Sequence, residues 1–195
     1  MSNLLHSQTP FVKHAGKPVL LVMDLVESIL TMSGNPQDFV QKVQTAIAHA
    51  RKHNIPVWYI KPNFRPSVPE IHANNKFFSK IKPMLQAAPA ETFDASVAPQ
   101  PDDLVFGKFR ISAFSGNELD IVLRAQGIEQ LVLTGLATSG AVLSTVRAAA
   151  DKDYQITVLS DGCFDHDSEV HEVLMNKVFP MQANVMTVDD WANSL

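Results

Sequence analysis

The stretch Val19-Leu20-Leu21-Val22-Met23, followed at once by Asp24, decides the fold. An unbroken apolar run of this length, without alternation, is typical of a strand buried on both faces of a parallel sheet. A carboxylate directly after such a strand must face a cleft or find a partner, because burying an isolated charge is costly. The stretch therefore predicts a central strand whose carboxyl end opens onto a polar site.

Predicted helices and strands alternate along the rest of the chain. A helix with apolar residues at helical spacing over residues 39–50 follows the first strand, with Asn35 as its N-cap and Pro36 in its first turn. Further strands are predicted at residues 56–60, 103–106, 131–134, 156–159 and 185–188. Further helices are predicted at residues 74–85, 118–123, 139–151 and 168–178. This order predicts an α/β fold with a doubly wound, mostly parallel sheet and helices on both faces.

Length and composition indicate one domain. The chain has 195 residues, 46% of them hydrophobic, so we expect a single domain over residues 1–195. A chain of this size needs neither disulfides nor a structural metal to fold, which agrees with its single cysteine, Cys163. Six of the twelve prolines lie in residues 61–100 and predict a loop-rich connection there, the kind of segment that often carries function.

Charge and hydropathy exclude two classes of partner. Sixteen basic and twenty acidic residues give a net charge of −4, and no basic run could neutralise a series of phosphates. The longest apolar stretch, residues 18–23, falls far short of the roughly 20 residues that span a bilayer. The first 16 residues lack the apolar region of a secretory signal. We therefore expect a cytoplasmic protein that acts on a small molecule, without nucleic-acid or membrane partners.

Ligands of open parallel sheets bind beyond the carboxyl ends of the strands. The polar candidates at those ends are Asp24, Lys108, the turn at 135–140, Asp161 and Cys163. The residues alone leave two interpretations open for the first two: they pair in a cleft, or Asp24 caps the following turn and Lys108 is solvated. The turn at 135–140 leads into a helix and could present amides to an anion or oxyanion. It matches neither the dinucleotide fingerprint nor a phosphate-binding loop.

Five motifs in one order resemble the isochorismatase-like hydrolases over about residues 17–191. They are Val22-Met23-Asp24, KFRISAF at 108–114, TGLAT at 134–138, VRAA at 146–149 and VLSD at 158–161. The resemblance implies a six-stranded parallel sheet and an active site of an aspartate, a lysine and, in most members, a nucleophilic cysteine at the start of a helix. Asp24 and Lys108 match the first two. The resemblance also implies a cis peptide between Leu136 and Ala137.

The sequence departs from the family pattern at two positions. Ala141 occupies the position of the cysteine, and its methyl group cannot form a thioester. Val26 stands where many members have glutamine. A branch of the family, isochorismatase proper, can lack the cysteine and hydrolyses a vinyl ether. The resemblance to that branch implies Asp24 as general acid and base, Lys108 as its electrostatic partner, and the amides of Ala137 and Ala141 as hydrogen-bond donors.

The other possible nucleophiles are Cys163, Thr138, Ser139 and Ser144. Cys163, just past the predicted fifth strand, is expected to pack rather than react. Thr138 and Ser139 have no histidine nearby in sequence to act as base, so we expect them to cap the helix, and Ser144 offers no stronger case.

The sequence offers no convincing set of metal ligands. Some family members bind a divalent ion after the second strand, but residues 62–66 offer no aspartate–histidine pair. His49 and His53 share a helix face without the glutamate of a zinc helix, and residues 165–167 precede a helix whose N-terminus acids favour. We expect no metal, no cofactor and a homo-oligomer, either dimer or tetramer.

Three hypotheses remain at this point. The first is a small-molecule hydrolase that works without a covalent cysteine intermediate. The second is a non-catalytic binding or regulatory protein that kept the family pocket. The third is that Ala141 is an engineered replacement of a cysteine.

Overall fold

The protein is built on a six-stranded parallel sheet, seen in a computed structural model that describes residues 16–87 and 90–195. The strands are β1 (Lys17–Met23), β2 (Val57–Pro62), β3 (Val105–Lys108), β4 (Ile128–Leu136), β5 (Gln155–Phe164) and β6 (Asn184–Met186). Their spatial order is β3-β2-β1-β4-β5-β6, and every pairing is parallel. The predicted fold is confirmed, with β1 at the centre and its carboxyl end beside those of β2 and β4.

Helices connect the strands. They are α1 (Glu27–Met32), α2 (Gln37–Lys52), α3 (Lys76–Ala87), α4 (Leu119–Ala125), α5 (Leu143–Ala150), α6 (Ser168–Val173) and α7 (Val188–Asn193). Short 3₁₀ turns lie at Ala95–Val97 and Phe179–Met181, and π-helical turns at Thr138–Val142 and Leu174–Val178. None of the helices in the described part of the chain is long and apolar enough to cross a membrane.

The core forms two layers, one on each face of the sheet. Val19, Leu21 and Met23 of β1 pack into the layer that contains α4 and α5. Leu20 and Val22 pack into the opposite layer, with α2 and α7. The side chains of these five residues are all fully buried, which explains why residues 19–23 are all apolar instead of alternating with polar residues. Helices therefore cover both faces, as predicted.

The start of α2 differs from the prediction. The helix begins at Gln37, and its N-cap is Pro36, which provides no side-chain cap. Asn35 is therefore not the N-cap. It adopts a left-handed conformation, with φ of 50°, that turns the chain into the helix. Asparagine tolerates this conformation better than most residues, which accounts for its place before the proline.

The end of the chain also differs. The predicted strand at 185–188 stops at Met186, and α7, absent from the sequence prediction, begins at Val188. Thr187 is its N-cap and accepts a hydrogen bond from the backbone N–H of Asp190. A strong local cap thus ends the strand early.

Candidate active site

Asp24 and Lys108 form a buried ion pair at the carboxyl edge of the sheet. Nζ of Lys108 lies 2.7 Å from Oδ2 of Asp24, and each residue is only 5% exposed. Lys108 is the last residue of β3, two residues later than the predicted strand end, and its side chain reaches across β2 to the residue after β1. It also donates to the backbone oxygen of Ile111 at 2.8 Å. The predicted approach of the two charges is confirmed.

Asp24 does not cap the next helix. The N-cap of α1 is Val26, without a side-chain cap, and the Asp24 backbone, at φ of 64°, donates to the Ile60 oxygen at 2.9 Å. Oδ1 of Asp24 is buried and has no hydrogen-bond partner among the described residues. The interpretation in which Asp24 caps a turn and Lys108 is solvated is therefore wrong. One carboxylate oxygen is paired, and the other is left for a ligand or a proton.

The surroundings favour the neutral form of this carboxyl. Burial raises the pKa of Asp24 above its ordinary value, and the neighbouring Lys108 charge opposes only part of that effect. The negative charge of Glu91 raises the pKa further. A protonated carboxyl beside a lysine can donate its proton to a substrate and later take one back.

Glu91 lies in residues 91–94, a segment that we call the strap, which crosses the chain just after Asp24. A β-bridge joins Phe93 of this strap to Val26, and the Glu91 carboxylate accepts a hydrogen bond from the Ser28 hydroxyl at 2.6 Å. Sequence reasoning missed Glu91, since it lies in the proline-rich connection and carries no motif. The strap brings a second acidic group close to the ion pair.

The turn after β4 starts beside the end of β1. Gly135 has φ of 140°, and a Cβ there would be 2.3 Å from the backbone oxygen of Met23, so only glycine allows this approach to β1. At Gly140 a Cβ would be in ordinary contact, 3.9 Å, with the Ile111 side chain. The backbone oxygen of Ile111 is the second acceptor of the Lys108 ammonium. The start of the turn is thus held close to the end of β1, the strand that Asp24 follows.

Ala137 and Ala141 are both in this turn region. The Leu136–Ala137 peptide bond is cis, as the resemblance implied. Ala141 lies within the π-helical turn and is 3% exposed. The predicted helix at 139–151 therefore begins as a π-helical turn and continues as α5. The role of the two amides as donors stays a prediction.

The anion site predicted at 135–140 is partly occupied by the protein itself. The backbone N–H of Ser139 donates to Oδ2 of Asp165 at 2.7 Å. Asp167 caps α6 by accepting from the N–H groups of Glu169 and Val170, as predicted for this acidic segment. Within the described ranges, no group of three or more histidine, cysteine, aspartate or glutamate residues is placed to hold a metal ion.

Comparisons with known proteins identify the family of the chain. The family model described as "Isochorismatase domain" matches residues 18–190. The chain belongs to the isochorismatase family. It is 28% identical over 211 residues to a ureidoacrylate amidohydrolase, RutB, of Variovorax paradoxus, covering 95% of this chain and 84% of that protein.

Two solved structures superpose on the chain. An isochorismatase family protein from Burkholderia thailandensis has a TM-score of 0.78 at 25% identity, covering 92% of this chain and 96% of that one. An N-carbamoylsarcosine amidase from Thermoplasma acidophilum has a TM-score of 0.72 at 25% identity, covering 89% and 97%. The chain is accordingly an isochorismatase-family hydrolase that acts on small molecules.

Cys163, the single cysteine of this family member, lies inside β5 rather than past its end. It pairs in register with Gly135, is 5% exposed, and its Sγ is 3.8 Å from the backbone oxygen of Leu133. Burial raises the pKa of its thiol, which disfavours the thiolate that a nucleophile requires. The structure thus places Cys163 in the core.

The expectation that Thr138 and Ser139 cap the helix is wrong, because neither the π-helical turn nor α5 has a side-chain cap. Thr138 instead has a histidine partner that the sequence did not reveal. Its hydroxyl lies 2.9 Å from Nδ1 of His171, a residue 33 positions further along the chain. Thr138 is fully buried at the start of the π-helical turn, and His171 is on α6. No local pattern links the two, because the contact depends on how α6 folds back over the turn.

Proposed function

We propose that this family member hydrolyses a small molecule with Asp24 as general acid and base, without a covalent cysteine intermediate. The bond cleaved is that of a vinyl ether or a related C–O or C–N bond. The observation that carries the proposal is Oδ1 of Asp24, which is buried without a partner while Oδ2 is held by Lys108. A proton on Oδ1 is the acid that this chemistry needs, and the raised pKa of Asp24 favours it.

For a vinyl ether the steps balance without any further nucleophile. Asp24 transfers its proton to the terminal carbon of the enol ether, which leaves an oxocarbenium-like carbon beside the ether oxygen. Water adds to that carbon, and the Asp24 carboxylate takes up the proton released. The resulting hemiketal then collapses to a carbonyl and an alcohol. Lys108 stabilises the carboxylate formed in the first step, and the amides at Ala137 and Ala141 are the proposed donors to the substrate oxygen.

The absence of a cysteine at the family position supports a route without a thioester. Ala141 has no nucleophilic atom, and Cys163 is on β5 in the core with a raised thiol pKa. Two of the similar proteins are named as an amidohydrolase and an amidase, so amides and ureides belong among the compounds to test.

A turnover panel tests the proposal. Vinyl ethers, amides and ureides are incubated with the purified protein, and release of product is followed by mass spectrometry. We expect turnover of a vinyl ether or related compound by the natural sequence, and its loss in Asp24→Asn. Turnover that survives Asp24→Asn would contradict the assigned role.

The alanine at position 141 also supports a second candidate, a binding protein that kept the pocket of the family. Such a protein would be stabilised by a ligand that it binds, and the stabilisation would grow as the ligand concentration exceeds the Kd. It would leave the ligand chemically unchanged. Thermal unfolding measured with each panel compound separates the two functions. Stabilisation without product for every compound would favour the binding protein.

A further inference from the structure

The active-site turn is held from outside by two side chains of the β5–α6 segment. His171 contacts the Thr138 hydroxyl at 2.9 Å, and Asp165 accepts the N–H of Ser139 at 2.7 Å. The two contacts are made at neighbouring residues of the turn that contains Ala141. One fixes the backbone of the turn, and the other fixes a side chain that is fully buried inside it.

Within α6, the contact of His171 is the one that links the helix to the active-site turn through a side chain. None of the six residues of α6 is buried, and its Val170 and Val173 are 36% and 40% exposed. Apolar packing anchors the helix only at its end, where Leu174 and Met175 follow Val173 into the core. A hydrogen bond between a buried hydroxyl and a half-buried ring links the helix directly to the turn.

We infer that His171 is a positioning residue, which acts through the Thr138 hydroxyl to hold the turn bearing Ala137 and Ala141 in place beside the end of β1, the strand that Asp24 follows. The role of the turn in catalysis rests on the proposed function. The contact by which His171 holds the turn does not depend on that function. The observed contacts run from His171 to Thr138, and the turn that contains Thr138 follows Gly135, which pairs in register with Met23 at the end of β1.

A chemical probe tests this without any substrate. Ala141→Cys places a thiol in the turn, and the buried Cys163 serves as an internal reference in the same chain. Ala141 is 3% exposed and Cys163 is 5% exposed, so each thiol reacts with iodoacetamide only when its surroundings open locally. Peptide mapping by mass spectrometry gives the two alkylation rates separately.

The variants are matched in shape. In the Ala141→Cys chain, Thr138→Val and His171→Phe each remove the hydrogen bond, and alkylation at position 141 is expected to rise about five- to tenfold. Thr138→Ser keeps the hydroxyl and is expected to restore the slow rate. His53→Phe changes an exposed histidine after α2, and is expected to have no effect. The double variant Thr138→Val/His171→Phe should react no faster than either single variant.

Two results would overturn the inference. One is an unchanged alkylation rate at position 141 in both Thr138→Val and His171→Phe. The other is a parallel rise at Cys163, which would show that His171 merely stabilises the whole fold. In the chain with Ala141, kcat of His171→Phe on a compound that is turned over should fall while KM is retained. Failure of every compound in the turnover panel would contradict the proposed function. The alkylation rates would still decide whether His171 holds the turn, because they need no substrate.

Discussion

The Lys108 ammonium lies 2.7 Å from Oδ2 of Asp24, and the two residues come from strands that are not neighbours in the sheet. Lys108 on β3 crosses β2 to reach the end of β1. Because both residues are 5% exposed, neither charge has water to replace its partner. The pair therefore controls both the ionisation of Asp24 and part of the stability of this edge of the sheet.

Asp24→Asn should reduce kcat by ~100-fold or more, since it removes the acid and base of the proposed reaction while keeping the shape of the side chain. The measurement is the rate with a panel compound that the natural sequence turns over. Asp161→Asn is the matched control, because Asp161 lies on β5 but accepts the N–H of Val188 and pairs with Lys42. Equal losses in the two variants would argue against a special role for Asp24.

Lys108→Met should lower the free energy of unfolding by about 1–3 kcal/mol, because the buried Asp24 carboxyl, whose neutral form is favoured, loses the hydrogen-bond partner of its Oδ2. Urea unfolding at neutral pH measures the change. The double variant Asp24→Asn/Lys108→Met should recover part of the loss, since no carboxyl is then left without its partner. Strictly additive losses would show that the two side chains are not coupled.

The pH dependence of the rate should show a loss on the alkaline side. Asp24 must be protonated to donate, so activity falls as pH rises through its raised pKa. Glu91→Gln removes a negative charge that raises this pKa, and should move the loss to lower pH. Glu129→Gln, at the amino-terminal end of β4, is the control and should leave the profile in place. A profile unaffected by Glu91→Gln would contradict the influence of Glu91 on Asp24.

Cys163 should resist iodoacetamide in the native protein and react fully in denaturant, because it is buried and its thiol pKa is raised. The treated protein should keep its activity. Cys163→Ala should also keep its activity, apart from a loss of stability typical of removing a small buried side chain. Inactivation by the reagent together with an inactive Cys163→Ala would make Cys163 the nucleophile.

Stability should fall in mildly acidic solution partly because of His171. Burial lowers the pKa of His171 below its ordinary value of 6.5, so the unfolded chain binds this proton more readily than the folded one. The resulting stabilisation is complete above pH 6.5 and is lost as pH falls through the folded-state pKa. His171→Asn should flatten the decline of Tm between neutral and acidic pH. His53→Asn, at an exposed residue after α2, should not.

The resemblance and the local pattern together could predict the elements and two residues of the site. The apolar run at Val19–Met23, the alternation of helical and strand patterns, and the position of Asp24 after β1 are properties of short segments. Periodicity and strand-end polarity are local, so a single sequence reports them. Two local predictions were wrong because another local conformation was preferred. Asn35 forms a left-handed turn instead of a helix cap, and Thr187 caps a helix that ends the last strand early.

Only the tertiary structure decided how distant residues meet at the site. The order β3-β2-β1 selects Lys108 as the partner of Asp24, and the strap after α3 brings Glu91 beside them. The fold of α6 over the turn gives Thr138 a histidine that no sequence spacing indicates. These contacts depend on sheet order and on loop paths, which are set by the packing of the whole core, whereas the sequence by itself determined the strand that ends in Asp24.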